Sequence, residues 1–332
     1  MNHRSHSLTR RAFATSVAAT VPAVVASRAF GQSTPSSSPV SGDTRVITDA
    51  TGEVEIPANP QRVVVLDGPM LDAALTVGIT PVGATTAFAD EPFPRYLGDR
   101  TEGIVNVGRI QEPNLEAIIQ LEPDLILGSS FRHEAIHSQL SAIAPTVFSG
   151  VVGAAWKDDY LLYTDALNRQ AERDQVLANY QARIDAFDDA TQGERETWQI
   201  SVARFRADSI RVYYKTSFIG ILLDDLDLPR PESQDKGTED ERFAEISAEQ
   251  INLADGSHIF LTAYGEIGDT PLPDVTGNPL WQSLQAVKDG KVYWVDDEYW
   301  MVGIGYIAAN LVFDDLTAYL VDGDAPAPIP EL

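Results

Sequence analysis

The chain has 332 residues, 49 acidic against 24 basic, a formal net charge of -25, and no cysteine. A chain so acidic lacks the basic footprint that nucleic acid requires, and its charge keeps a solvated surface soluble and says little about mechanism. The missing thiols exclude disulfides, a thiolate metal site and a lipid anchor carried on a cysteine, and a length beyond ~250–300 residues calls for two lobes rather than one core.

Residues 1–31 carry Arg4, Arg10, Arg11 and Arg28, no acidic residue, and a mild apolar run from Ala12 to Ala26. That run is shorter than the ~20 residues needed to span a bilayer, so it reads as a cleaved export signal and not as an anchor. Thr9-Arg10-Arg11-Ala12-Phe13 resembles the twin-arginine type, with a cut near Gln32. No other segment is long and apolar enough to cross, so the chain is not expected to be an integral membrane protein. A freely diffusing exported protein points to a periplasm enclosed by an outer membrane.

Residues 32–44, QSTPSSSPVSGDT, read as a flexible linker rich in Ser and Pro. A first lobe is placed at 45–150. It opens with a hairpin around Thr51-Gly52, the strand Arg62 to Leu66, a helix through Met70, Leu71, Ala74 and Leu75, and a turn at Gly78 to Pro81. Glu112 to Gly128, EPNLEAIIQLEPDLILG, then reads as a turn, an amphipathic helix and a buried strand, half of a βαβ unit. Pro113 suits a first helical turn, Leu115, Ile118, Ile119 and Leu121 give the apolar stripe, and Pro123 stops it. Leu125 to Leu127 is too brief for a helix and reads as a strand covered on both faces.

From Trp156 to Ala190 one helical pattern runs without glycine or proline, with Leu161, Leu162, Leu167, Val176, Tyr180, Ile184 and Phe187 near one face. A second lobe is placed at 198–322 and a tail at 323–332. Its strands are expected at Ile200 to Phe205, Ile210 to Tyr214, His258 to Thr262 and Lys291 to Val295. Its helices are expected at Phe218 to Leu226, Ser247 to Leu253 and Gly303 to Leu320, with Glu232 to Arg242 a charged mobile loop.

Three stretches share one wording. NPQRVVVL, VGITPVGATT and N-L-E-x-I-x-x-L-x-P-D-L-I, spread between Asn59 and Ile126, together resemble the periplasmic substrate-binding proteins of ATP-driven importers of ferric siderophores, haem and cobalamin. The resemblance implies an α/β fold of two lobes, each with a mainly parallel sheet flanked by helices. The helix at 156–190 would join them as a stiff backbone, with the ligand cleft between the lobes. It also implies a monomeric periplasmic receptor that passes its ligand to the permease subunits of an ABC importer and catalyses nothing.

Ligands of open parallel sheets sit beyond the carboxyl ends of the strands. Those ends are Asp67 to Pro69, Thr85, Thr86, Arg109, Ile110 and Ser129 to Arg132 in the first lobe. In the second they are Arg204, Arg206, Tyr213, Tyr214, Tyr264 and Asp296 to Trp300. A ferric siderophore is a preformed iron chelate with its own oxygen ligands, so the protein needs no cofactor. It needs flat aromatic surface and planar guanidinium donors instead. The expected ligand contacts are therefore Trp300, Tyr264 and Tyr214 with Arg109, Arg132 and Arg204.

The resemblance adds that Trp300, in W-x-x-G, stands where relatives place a ligand-facing aromatic. It adds that hydroxamate-binding relatives hold an arginine where this chain has Ile110, one residue from Arg109. Such a shift turns the side chain away and leaves hydroxamate specificity open. Glu134 and Glu249 stand where relatives carry one importer-docking glutamate per lobe. Asp296, Asp297 and Glu298 favour a chelate of low charge, or a carboxylate chelate held on the arginine side.

Haem or cobalamin is the alternative ligand within this family. From another class, His133-Glu134-Ala135-Ile136-His137 matches the H-E-x-x-H of zinc proteases, without an evident third ligand after it. Gly303-Ile304-Gly305-Tyr306-Ile307-Ala308 matches the G-x-G-x-x-A of dinucleotide sites, but no strand and acidic ribose ligand follow, so packing of the last helix explains the glycines better.

Overall fold

The computed structural model describes residues 43–87, 93–150, 153–238, 240–327 and 329, so the expected signal at 1–31 and nearly all of the linker at 32–44 lie outside the described residues. A hairpin of β1 (Thr44–Asp49) and β2 (Gly52–Pro57) comes first, its turn held by the Asp49 carboxylate, which accepts the N–H groups of Thr51 and Gly52.

Six strands then build one sheet: β3 (Val63–Val65), β4 (Gly83–Thr86), β5 (Val105–Arg109), β6 (Glu112–Pro113), β7 (Leu125–Ser129) and β8 (Thr146–Ser149). Their order is β6-β5-β4-β3-β7-β8, parallel throughout except for the antiparallel edge pair β5–β6. Val63 to Val65 and Leu125 to Leu127 are buried on both faces, as continuous apolar strands should be. The sheet is flanked by α1 (Gly68–Thr76), α2 (Leu115–Gln120), α3 (Ser130–His133) and α4 (His137–Ser141). On α2 the cap is Asn114, which accepts from Ala117 N–H, while Pro113 belongs to β6. Ile119, at 54% exposure, points outward, so the buried stripe is narrower than the spacing suggested.

The expected single helix over 156–190 is two helices, α5 (Trp156–Ala166) and α6 (Gln170–Thr191). Asn168 separates them at φ 54°. Its N–H donates to the Asp165 carbonyl and that of Arg169 to the Thr164 carbonyl, the paired bonds of a Schellman cap. Asparagine tolerates the left-handed conformation better than most residues, so a helix can stop there without glycine or proline.

The second sheet comprises β9 (Ile200–Arg206), β10 (Ser209–Tyr213), β11 (Phe243–Ile246), β12 (His258–Ala263) and β13 (Val292–Trp294), in the order β11-β10-β9-β12-β13. Four of its strands, β9, β11, β12 and β13, run in one direction and β10 runs against them, so the pairs β9–β10 and β10–β11 are antiparallel and the others parallel. The reason is local. Only Ala207-Asp208 separates Arg206 from its partner Ser209, and two residues can turn a hairpin but cannot make a crossover. Around this sheet lie α7 (Phe218–Asp225), α8 (Leu272–Thr276), α9 (Pro279–Ser283) and α10 (Gln285–Lys288). Ser247 and Gln250 form a capping box on a 3-10 turn over Ala248–Ala254.

The expected mobile loop at Glu232 to Arg242 is anchored at Gln234, which is fully buried, accepts from Val202 N–H and Arg230, and donates to Ser201. The last helix, α11 (Tyr306–Leu320), returns to pack against α1 and α6. Trp156, Tyr160 and Tyr180 meet Tyr306 at ring-centroid distances of 4.9, 4.5 and 5.0 Å, mostly edge to face, so one aromatic cluster joins α5, α6 and α11. No helix among the described residues is long and apolar enough to cross a membrane.

Candidate functional site

Beyond the carboxyl ends of the parallel strands, the two lobes face each other across a cavity of about 890 Å³. Its first-lobe wall is Ala87, Phe93, Pro94 and Arg95, and its second-lobe wall includes Ala263 at the end of β12, Tyr264 just after it, Trp294 of β13 and the run Val295 to Glu298. The strand-end rule therefore found the second wall. It missed Phe93 and Arg95, which lie well past the end of β4, Arg95 at the start of a 3-10 turn over Arg95–Thr101.

Tyr264 is the centre of the second wall. Arg204 and Arg206, two apart on β9 and so on one face, lie 4.7 and 5.4 Å from the centroid of its ring. Arg204 is buried and fixed: Nε and Nη2 donate to the two Asp297 oxygens at 2.7 and 2.5 Å, and the Thr262 hydroxyl donates to the same carboxylate at 2.8 Å. Burial alone would lower the Arg204 pKa, but the Asp297 hydrogen bonds and charge raise it; burial pushes the Asp297 carboxyl up while Arg204 pulls it back. The pair is thus a positioned ionic fork. Arg206 makes no ion pair among the described residues, and its buried Nε has no hydrogen-bond partner. Tyr213, two residues past the Arg211 that pairs with Arg204, lies on the Arg204 face of the sheet.

Several of the expected contacts lie away from this wall. Trp300 is fully buried: it lies in a π-helical turn over Glu298–Val302, donates from Nε1 to Asp315 at 2.8 Å and stacks on Phe260 at 4.9 Å. The turn swings its ring into the core, and Trp300 does not line the cavity of about 890 Å³. Tyr214 does not line the cavity; it lies beside the anchored loop with Lys236 Nζ 5.2 Å from its ring, because alternation along β10 turns Tyr213 to the other side. Arg132 folds back within the first lobe, its Nε 2.5 Å from the Asp67 carboxylate. Arg109 is exposed at the end of β5 and makes no ion pair among the described residues. Of the six expected contacts, Tyr264 and Arg204 are brought together, Tyr264 alone lining the cavity. Glu134 and Glu249 are both exposed, one on each lobe.

The H-E-x-x-H match does not form a metal site. α3 ends at His133, a 3-10 turn covers Glu134–Ile136, and α4 begins at His137, so the two histidines do not share one helical face. Ser129 N–H donates to His133 Nδ1, which leaves Nε2 to donate to the Ile110 carbonyl at 2.8 Å. Both ring nitrogens are occupied, and burial lowers the His133 pKa. His137 packs on Phe148 at 4.8 Å, and His258 is buried in the second lobe. Among the described residues no group of three or more His, Cys, Asp or Glu is placed to hold a metal ion. The G-x-G-x-x-A match is packing, as expected. A Cβ on Gly303 would stand 2.8 Å from the Tyr96 hydroxyl, and one on Gly305 would collide with the Asp72 carboxyl.

A profile described as periplasmic binding protein matches residues 63–299. The probable siderophore-binding lipoprotein YfiY of Bacillus subtilis is 38% identical over 290 residues, 85% of this chain and 89% of that one. The achromobactin-binding periplasmic protein of Dickeya dadantii is 31% identical over 262 residues, 77% and 85% of the two chains. The crystal structure of Staphylococcus aureus SirA complexed with staphyloferrin B matches with a TM-score of 0.75 at 31% identity, covering 83% of this chain and 98% of that one. Two facing α/β lobes, a cavity between them and a profile that runs through both place the chain in the periplasmic binding protein family.

Proposed function

We propose that this protein is the receptor of an ABC importer, binding a ferric siderophore reversibly in the interlobe cavity and delivering it to the permease subunits without a catalytic step. The observation that carries the reading is the wall around Tyr264. A flat ring flanked by two guanidinium groups borders a cavity of about 890 Å³, within the range of small-molecule sites. Aromatic area covers the organic shell of a chelate, and planar donors suit its oxygen atoms, so iron can arrive already coordinated. The names of the relatives support siderophores over haem or cobalamin, and the occupied nitrogens of His133 speak against a zinc protease. Export through a twin-arginine signal, residence in the periplasm as a monomer, and docking on the importer through Glu134 and Glu249 belong to the same proposal.

Quenching of tryptophan fluorescence by a panel of ferric siderophores, haem and cobalamin tests it, because Trp294 borders the cavity. At least one ferric siderophore is expected to bind below about 1 μM, equivalent to about 8 kcal/mol. Tyr264→Ala should weaken that binding at least about tenfold, whereas Glu134→Ala with Glu249→Ala should leave it intact and abolish uptake in cells. Stoichiometric zinc with peptide cleavage, and no chelate bound, is the outcome that overturns the receptor reading.

A further inference from the structure

Arg95 is the cation of the first-lobe wall, and its partner comes from the opposite lobe. Glu298 Oε2 accepts the Arg95 backbone N–H at 2.7 Å, and Oε1 accepts from its Nε at 2.9 Å. Asp296 lies 3.6 Å from Nη2. All three residues border the same cavity. The Arg95 side chain is 77% exposed, so this pair is weak and open to competition, unlike the buried fork between Arg204 and Asp297. Among these two cleft pairs, only the one at Arg95 can exchange its carboxylate without uncovering a buried charge.

We infer that Arg95 is an anion ligand held in reserve: a chelate bearing free carboxylates displaces Glu298 from its guanidinium, so the Arg95–Glu298 pair sets the preference for anionic over neutral chelates. The inference rests on the receptor reading. Before a chelate arrives, Glu298 holds the guanidinium at the mouth; on arrival the chelate's carboxylate takes over the Nε and Nη donors, while the backbone N–H stays with Glu298. The exchange trades one exposed ion pair for another and is therefore rapid. A neutral chelate offers nothing to trade.

Stopped-flow fluorescence with the anionic ferric citrate complex and with a neutral ferric trihydroxamate, on wild type, Glu298→Gln, Arg95→Ala and the double variant, tests this. Glu298→Gln should tighten ferric citrate binding about two- to fivefold, the range of an exposed ion pair, and leave the neutral chelate unchanged. Arg95→Ala should weaken citrate binding, and in that background Glu298→Gln should bring no gain. Removing a repulsive carboxylate would help an anion whether or not Arg95 is present, so an undiminished gain in the Arg95→Ala background overturns the exchange. An equal gain for the neutral chelate does the same. Wild type that binds only neutral chelates also overturns the exchange while leaving the receptor reading standing; wild type that binds no chelate overturns both.

Discussion

Asp72 sits on α1 with no exposed surface, yet it faces the first N–H groups of α11: Ile307 donates to its oxygens at 3.1 and 3.2 Å and Ala308 at 3.2 Å. Burial pushes its pKa from 3.8 to about 6, and those backbone bonds only partly offset the shift. The folded state therefore holds the Asp72 proton more tightly than the unfolded chain. Its contribution to stability is full below the unfolded value and is lost as pH rises through the folded one, a swing of about 3 kcal/mol across the two-unit gap. Asparagine keeps an acceptor oxygen and no charge. Relative to Asp72→Asn, the wild type should accordingly gain stability in urea titrations as pH falls from 7 to 4, and a flat difference would rule out Asp72 as the source. At this same scale the sequence is a poor guide to direction. It marks Trp300 as an aromatic beside a turn, but whether the ring meets ligand or core depends on a π-helical turn and on Asp315, fifteen residues later, receiving its N–H. Tyr213 and Tyr214 differ by one position, and only strand pairing decides which of them shares the Arg204 face.

At the scale of elements, the valine run of β3 and the Leu-Ile-Leu run of β7 are legible because both faces of such strands are covered. The break between α5 and α6 is not, because the apolar spacing continues across it and the stop depends on Asn168 adopting φ 54°. Residues with a β-carbon are disfavoured in that conformation by ~1–2 kcal/mol, while glycine is not. Asn168→Gly is expected to melt within a degree or two of wild type, allowing for the lost bond from Asn168 Nδ2 to Asn59 at 2.6 Å, and Asn168→Val to melt several degrees lower. If valine costs nothing, the cap does not set the helix boundary. The anchored loop teaches a related lesson: its charges suggest mobility, whereas one buried amide, Gln234, ties it to β9.

At the scale of the whole molecule, α6 leads from the first lobe to the second sheet and α11 returns to lie on α1 and α6, so the lobes share packed helices as well as a covalent connection. Small-angle scattering should accordingly give the same radius of gyration with and without bound chelate, in contrast to receptors whose lobes close on flexible strands. A marked contraction would contradict this rigid view. The two-lobed plan and the second cleft wall follow from the strand pattern. The first wall does not, since Arg95 and Glu298 meet across 203 positions of sequence and no local pattern records it.

The bond between Asp72 and α11 spans 235 positions, and that separation imposes an order in time. During synthesis the first lobe emerges early, but the surface of α1 that carries this carboxylate has no cover until the chain has grown past Ala308. Until then the groups meant to be sealed inside face water, and a non-local contact of this kind is among the last to be made. The final helix is thus the keystone of the first lobe, and a nascent chain interrupted before Tyr306 remains unfinished at both ends.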